Sequence, residues 1–433
     1  MMLNIFKKNF LIYGFGLSGQ SCFNFLNVNN FIKIYDDNSN KILKKYDKFL
    51  INKNKLNDYY FDYIIVSPGI NIKKCYLKNF LLKNKDKLIS ELDIFYTAYK
   101  NNKKITVTGT NGKSTTVKLI HDFLKKAKKD VRLVGNIGKP ALNEKNISKK
   151  TIFVIEASSY QIEYSKYFRS DISAILNLSP DHLERHENYS NYVDAKFKLI
   201  KNQENRGISI INKNEKLIFE RLKKNKILGK ILKLNLSSKV YFLNKITNNY
   251  FNNLSNLDNL KFAFSIAKIF KIKTELILNV VNSFKALPYR QEILFNSKKL
   301  RIINDSKSTS FSSSISLLSS YKNIYWILGG LVKQGDKFEL PKRYFKNIKA
   351  YIYGKNNLIF QKQLKNKIKF KKFNNIKEAL NSILKDAKKN KDKKTIIFSP
   401  AAASFDQFEN FEKRGSYFNS IIKQTKFINT LNV

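Results

Sequence analysis

Residues Thr106 to Thr116 read Thr-Val-Thr-Gly-Thr-Asn-Gly-Lys-Ser-Thr-Thr, a string whose residue types and spacing suit a phosphate chain. Gly109 and Gly112 let the backbone come close to an anion, with Thr110 and Asn111 between them. The free N–H groups of a following helix would point at that anion, and Lys113 adds a full positive charge. Ser114 or Thr115 then offers a hydroxyl to a magnesium ion. The two glycines stand closer together than in the common G-x-x-x-x-G-K-S/T loop. Strand, glycine loop and helix in this order still read as an ATP site.

Further reactive groups sit where apolar runs end, the position at which open α/β sheets bind ligands. Glu156 follows the run ending at Ile155, and a carboxylate there can hold magnesium. Asp181-His182 follows the next run, and His182 is one of only three histidines; its neutral imidazole suits a metal. His121 and His186 read as ordinary residues of a helix and a polar loop. Lys196 follows in Tyr192-Val-Asp-Ala-Lys196, although a chain this rich in lysine gives composition no power to single it out. Asn304-Asp305-Ser306-Lys307-Ser308-Thr309-Ser310 packs an acid, a base and hydroxyls into one turn. Ser399-Pro-Ala-Ala-Ala-Ser404-Phe405 closes the last apolar run with small residues that allow close approach of a ligand or a tight turn.

The elements that must position these groups repeat three times along the chain. Near the start, Phe10–Tyr13 runs into Gly14-Phe-Gly16-Leu-Ser-Gly19 and a helix, and Phe31–Tyr35 ends about 20 residues later in Asp36-Asp37. That is the dinucleotide-fold pattern, though it does not by itself imply a redox cofactor. Asp62–Val66 then leads into Ser67-Pro-Gly. The alternation restarts with Ile105–Thr108, after which Val117, Ile120, Phe123, Leu124 and Ala127 recur at the spacing of one helix face. Strands follow at Thr151–Ile155, Ile172–Leu176 and Gly207–Ile211, apolar enough for a parallel sheet buried on both faces. The Asn/Lys-rich stretch from Asn212 to Asn253 reads as edge structure. A third alternation runs through Leu300–Ile303, Ile324–Leu328, Ala350–Tyr353 and Thr395–Phe398. The expected fold is therefore α/β with three domains. These are a Rossmann-like domain over residues 1–93, a central P-loop ATPase-type parallel-sheet domain over 94–287, and a Rossmann-like domain over 288–433.

Length and charge set the outer limits. A chain of 433 residues is too long for one ordinary core. The net charge of +48 points towards nucleic acid or an anionic surface. Lysine is spread along the whole chain, however, with no clustered basic arm, helix-turn-helix or RNA-binding aromatic motif, so no specific nucleic-acid partner is expected. Two cysteines fit a reducing compartment, and neither a signal peptide nor a membrane span is legible. The expectation is a cytoplasmic monomer.

Taken together, the strings at 108–114, 156–159, 177–182, 287–290 and 304–307 resemble the Mur ligases, the ATP-dependent amide-forming enzymes of peptidoglycan synthesis. The resemblance runs through nearly the whole chain. Folylpolyglutamate synthases share the ATP-loop string but lack such a first domain. The resemblance implies UDP-N-acetylmuramoyl-L-alanine and D-glutamate as substrates, ATP and two Mg2+ ions as cofactors, and a place in cell-wall synthesis that serves cell shape and division. It further implies that Lys113, Glu156, His182 and Lys196 are catalytic, with Ser114, Glu156, His182 and a carbamylated Lys196 holding metal. Asn111, Asn256, Asn259, Arg290 and Asp305 match positions around the nucleotide. Leu17, Ser18, Asp36, Ser67 and Asn136 match the UDP-substrate path, and Lys307, Thr309, Lys333, Ser404, Phe405 and Phe411 match the D-glutamate site. Departures are Tyr289 and Ser255 where histidine is frequent, Ala402 where cysteine is frequent, and Asp37-Asn38 where a more cationic uracil contact can occur. None of these removes a group that phosphoryl transfer demands.

Overall fold

The structure is a computed structural model. It describes residues 3–238, 242–333, 335–355, 357–388 and 392–425. Three separate sheets form, one for each alternation in the sequence. The first holds β1 (Asn9–Tyr13), β2 (Phe31–Tyr35), β3 (Tyr63–Val66) and β4 (Leu88–Ile89) in the order β2-β1-β3-β4. All of its pairings are parallel, which fits strands whose connections cross back over the sheet. The connection from β2 to β3 carries short 3-10 turns between Ser39 and Asp58 instead of a long helix.

The second sheet holds β5 (Lys103–Thr108), β6 (Val131–Gly135), β7 (Ile152–Glu156), β8 (Ile172–Ile175), β9 (Ile208–Asn212) and β10 (Lys230–Leu234). Its order is β10-β9-β8-β5-β7-β6 and every pair is parallel, as the apolar runs predict. β5 is thus central, flanked by β7 and β8, so the segments following these three strands leave the same edge of the sheet. The helix Lys113–Lys126 buries Val117, Ile120, Phe123 and Leu124, the face expected from their spacing.

The first two sheets share a core. Phe10, Ile12 and Ile34 belong to the same buried cluster as Val134, Phe153, Ile155 and Leu199. The helix Glu91–Ala98 stands at this junction, and Asp93 in its first turn is fully buried. Its Oδ2 accepts the Ser90 N–H at 2.9 Å, while Oδ1 accepts the N–H groups of Lys166, Tyr167 and Phe168 at 2.9, 2.7 and 2.9 Å.

The third sheet holds β11 (Glu292–Asn296), β12 (Leu300–Asn304), β13 (Ile324–Gly329), β14 (Ile348–Tyr353), β15 (Lys369–Phe373) and β16 (Lys394–Phe398). Its order is β11-β12-β16-β13-β14-β15, parallel except for the antiparallel β11 at one edge. Both faces are covered. Ala350 and Ile352 pack with Trp326 and Phe311 on one side, and Tyr351 and Tyr353 pack with Phe398 and Phe418 on the other. By contacts the chain forms two units. One holds the first two sheets; the other holds the third sheet together with Ser179–Glu184 and Asn244–Asp258.

Candidate active site

The phosphate loop takes the conformation that its glycines allow. Gly112 has φ +83° at the start of the helix Lys113–Lys126, and a Cβ there would fall 2.0 Å from Asn259 Oδ1. Asn259 is itself buried, so the expected nucleotide residue lies against the loop. Asn111 and Asn177 bond reciprocally: the Asn111 N–H donates to Asn177 Oδ1 at 2.8 Å, and Asn177 Nδ2 donates to Asn111 O at 3.1 Å. This pair ties the loop to the end of β8. Lys113 Nζ donates to Gly109 O and Thr110 O, both at 2.9 Å, which holds the ammonium over the loop.

Glu156, at the end of β7, is the focus of this half of the site. It is 1% exposed; its Oε2 accepts Ser114 Oγ at 2.5 Å and its Oε1 accepts Asn136 Nδ2 at 2.9 Å. Gly135 permits this arrangement, because a Cβ there would meet Glu156 O at 2.3 Å. Asn136, expected on the UDP-substrate path, thus touches the same carboxylate as the loop serine. The hydroxyl and carboxylate oxygens are hard donors of the kind magnesium selects. Among the described residues, no three His, Cys, Asp or Glu side chains form a metal cage.

Lys196 is also 1% exposed and donates to Gly109 O at 3.0 Å and Thr108 Oγ1 at 3.2 Å, so it reaches the same loop from the helix Tyr189–Lys201. Tyr192, one turn earlier, lays its ring 4.7 Å from Lys196 Nζ and bonds Thr110 Oγ1 through its hydroxyl at 2.9 Å. His186 lies in a helix and not in the polar loop expected for it. It is buried in the short helix Leu183–His186, with Nε2 2.9 Å from Ser159 Oγ. Its spacing before the Lys196 helix gave no signal of this. His121 lies on the helix Lys113–Lys126 beside Asp122, away from any such role.

In the first sheet, Asp36 Oδ2 accepts the Phe15 N–H at 2.6 Å and Ser67 Oγ donates to Gly14 O at 2.6 Å. Both side chains thereby brace the glycine turn. Asp36 also lines a cavity of about 240 Å3 with Phe15, Gln20, Asn38, Leu43 and Tyr46. Leu17 is exposed and Ser18 half-buried in the first turn of the helix Leu17–Leu26.

The unit built on the third sheet carries the remaining expected residues. His182 has φ +56°, with Nε2 3.5 Å from Asp181 Oδ2 and Nδ1 3.4 Å from Glu184 Oε1. Burial lowers its pKa, which favours the neutral, metal-binding imidazole. Lys333 Nζ pairs with Asp181 Oδ1 at 2.7 Å. Asp305 is buried; it accepts Ser399 Oγ at 2.9 Å and the Gln291 N–H at 3.1 Å, and burial pushes its carboxyl up to about 7. Asn256 Nδ2 donates to Gln291 Oε1 at 2.8 Å, so Asn256 and the Arg290 loop meet. Lys307 Nζ lies 4.0 Å from the centre of the Phe411 ring, Ser404 is buried, and Phe405 is 72% exposed. Thr309 lies in the loop just before the helix Phe311–Ser320.

Known proteins resemble this chain along its whole length. Residues 107–287 match the Mur ligase middle domain. A Rickettsia bellii protein is 33% identical over 99% of this chain and 98% of its own, and a Francisella tularensis protein is 34% identical over 96% and 95%. MurF ligase from Thermotoga maritima in complex with ADP shares the fold, with a TM-score of 0.58 at 14% identity over 98% of this chain and 100% of that one. The chain belongs to the Mur ligase family, and is an ATP-dependent amide-forming ligase. Both sequence relatives bear the name UDP-N-acetylmuramoylalanine–D-glutamate ligase.

Proposed function

We propose that this enzyme joins D-glutamate to UDP-N-acetylmuramoyl-L-alanine at the expense of ATP. The observation that carries the proposal is the end-to-end match to relatives of that name, together with Lys113, Ser114, Glu156 and Lys196 gathered on one loop. The substrate carboxylate attacks the γ-phosphorus of ATP and ADP leaves. The amine of D-glutamate then attacks the acyl phosphate, loses its proton, and inorganic phosphate departs. Bringing anions together requires cations and loop N–H groups around the transferring phosphoryl group. Lys113 would supply a fixed charge there. Ser114 and Glu156 would hold one Mg2+, and His182 and a carbamylated Lys196 a second, with Glu156 a candidate bridge. Bound Mg2+ would neutralise phosphate charge, and a carbamate would turn Lys196 from a repelling cation into an oxygen ligand.

In the same reading, Asn111, Asn256, Asn259, Arg290 and Asp305 hold the nucleotide, and the Asp36 cavity takes part of the UDP sugar. Lys307, Thr309, Lys333, Ser404, Phe405 and Phe411 take D-glutamate, two lysines suiting a dianionic amino acid. The domain borders fall near residues 93 and 287, and the enzyme works as a cytoplasmic monomer. Among the described residues no helix is long and apolar enough to cross a membrane.

The test is phosphate release from MgATP with UDP-N-acetylmuramoyl-L-alanine and a panel of amino acids. The expected result is release that needs both substrates and prefers D-glutamate to L-glutamate. No release with any amino acid, from folded protein that binds ATP, would overturn the proposal.

A further inference from the structure

Arg414, in the first turn of the helix Phe411–Gln424, has no exposed surface. A guanidinium stays charged at any working pH, so burying one demands that its donors be used. Nη1 donates to Ala402 O at 3.0 Å, Nη2 to Ser306 O at 2.8 Å and Nε to Ser306 Oγ at 3.1 Å. None of these three partners carries a charge. Ser306 Oγ passes the connection on, donating to Phe411 O at 2.9 Å. A Cβ on Gly330, at the end of β13, would lie 3.3 Å from Nη1, so that loop presses on the guanidinium as well.

The partners are not scattered. Ser306 immediately precedes Lys307, Ala402 stands two residues before Ser404, and Phe411 faces Lys307. Two loops assigned to the amino acid and the start of the last helix therefore converge on one buried cation.

We propose that Arg414 is the positioning residue of the amino-acid site. It locks the loops around Ser306 and Ala402 to the start of the last helix, and its buried positive charge favours a dicarboxylate over a neutral amino acid. Inside a protein such a charge acts over a longer distance than it would in water. The inference rests on the reading that these loops receive D-glutamate.

The test is steady-state kinetics of full-length Arg414→Met, Arg414→Lys and Ser306→Ala, varying each of the three substrates, with melting temperature measured in parallel. Losing charge-assisted bonds to both loops should raise the D-glutamate KM of Arg414→Met about tenfold or more. The KM values for ATP and the UDP-substrate should move much less. Ser306→Ala should shift the D-glutamate KM in the same direction by a smaller factor, and Arg414→Lys should recover part of the loss. A D-glutamate KM that is unchanged, or that moves no more than the ATP KM, overturns the proposal even if stability falls. If Arg414→Met does not fold, the same criteria applied to the other two variants decide. Wild-type turnover with D-glutamate is the control: its absence overturns the substrate reading, and this proposal with it, whereas turnover beside unaffected variants overturns this proposal alone.

Discussion

Lys333 Nζ donates to Asp181 Oδ1 at 2.7 Å, while the other oxygen of the same carboxylate lies 3.5 Å from His182 Nε2. One acid thus connects a lysine assigned to the amino acid with a histidine assigned to metal. Replacing the lysine should weaken binding of the amino acid first. Lys333→Met is expected to raise the KM for D-glutamate about tenfold or more, through loss of a charge-assisted contact. A D-glutamate titration of phosphate release checks this, and an unchanged KM would remove Lys333 from the site.

Asp181→Asn should act on the metal side. Groups that orient a ligating histidine typically change metal affinity about 10–100-fold. The Mg2+ concentration giving half-maximal rate should therefore rise about tenfold or more. An unaltered Mg2+ titration would show that Asp181 does not orient His182.

Lys113→Ala removes an ammonium that spans two loop carbonyls, at 2.9 Å each. Ligation should fall by about 10² or more, the scale of losing a group that stabilises transition-state charge. Circular dichroism should remain that of the folded protein. Normal turnover by this variant would end the ATP assignment of the loop.

Lys196 is buried at 1% exposure beside Thr108 and Gly109, where an ammonium would repel a magnesium ion unless it is converted. Enzyme stripped of CO2 should lose activity and regain it on adding bicarbonate. Lys196→Ala should be inactive and should not respond. Wild-type-like activity of the alanine variant would rule out a carbamate ligand.

Glu91 supplies a pH test of the fold. It is buried, with no hydrogen-bond partner for Oε1 among the described residues, and burial raises its carboxyl from 4.5 to about 7. Between those values the folded protein keeps a proton that the unfolded chain releases. Stability from this group is therefore complete below about pH 4.5 and declines as pH rises towards 7. Glu91→Gln removes that decline. Its advantage over the wild type should be greater at pH 8 than at pH 5 by a few kcal/mol, on the order of 3, at 1.36 kcal/mol per pH unit. Denaturant unfolding at the two pH values measures it, and a pH-independent difference would contradict the account.

Much of this architecture was legible because burial and function wrote on the same residues. Strands buried on both faces, such as β5, β7 and β8, carry continuous apolar runs, and the chemical groups stand directly after them. Edge strands were harder to see. β15 reads Lys-Phe-Lys-Lys-Phe, which in this lysine-rich chain looks like background, and its half-exposed position asks for no more. β11 pairs antiparallel with a shift in register, so its apolar pattern is interrupted. β6 was masked by Arg132 in a short run before Gly135, and β10 sets Lys230 and Lys233 among partly buried residues. Within the candidate site, Glu156 and Lys113 were singled out by position and type. The burial of His186 was not legible, because its partner Ser159 lies 27 residues away in sequence and no local pattern joins them. Arg414 was equally silent, one cation among 81 until its burial distinguished it.

The Asp93 clamp on Lys166, Tyr167 and Phe168, with the apolar cluster that runs from Phe10 to Phe153, bears on how this enzyme can be recombined. A nucleotide-binding module joined only by a linker could be traded between relatives as a cassette. Here the first sheet brings half of a seam whose other half lies beyond residue 130. A chimera that exchanges only the first 93 residues would have to bring its own acceptor for three amide groups and an apolar face that fits this partner. The natural unit of exchange is the pair of sheets together, so inheritance would be expected to preserve them as one block.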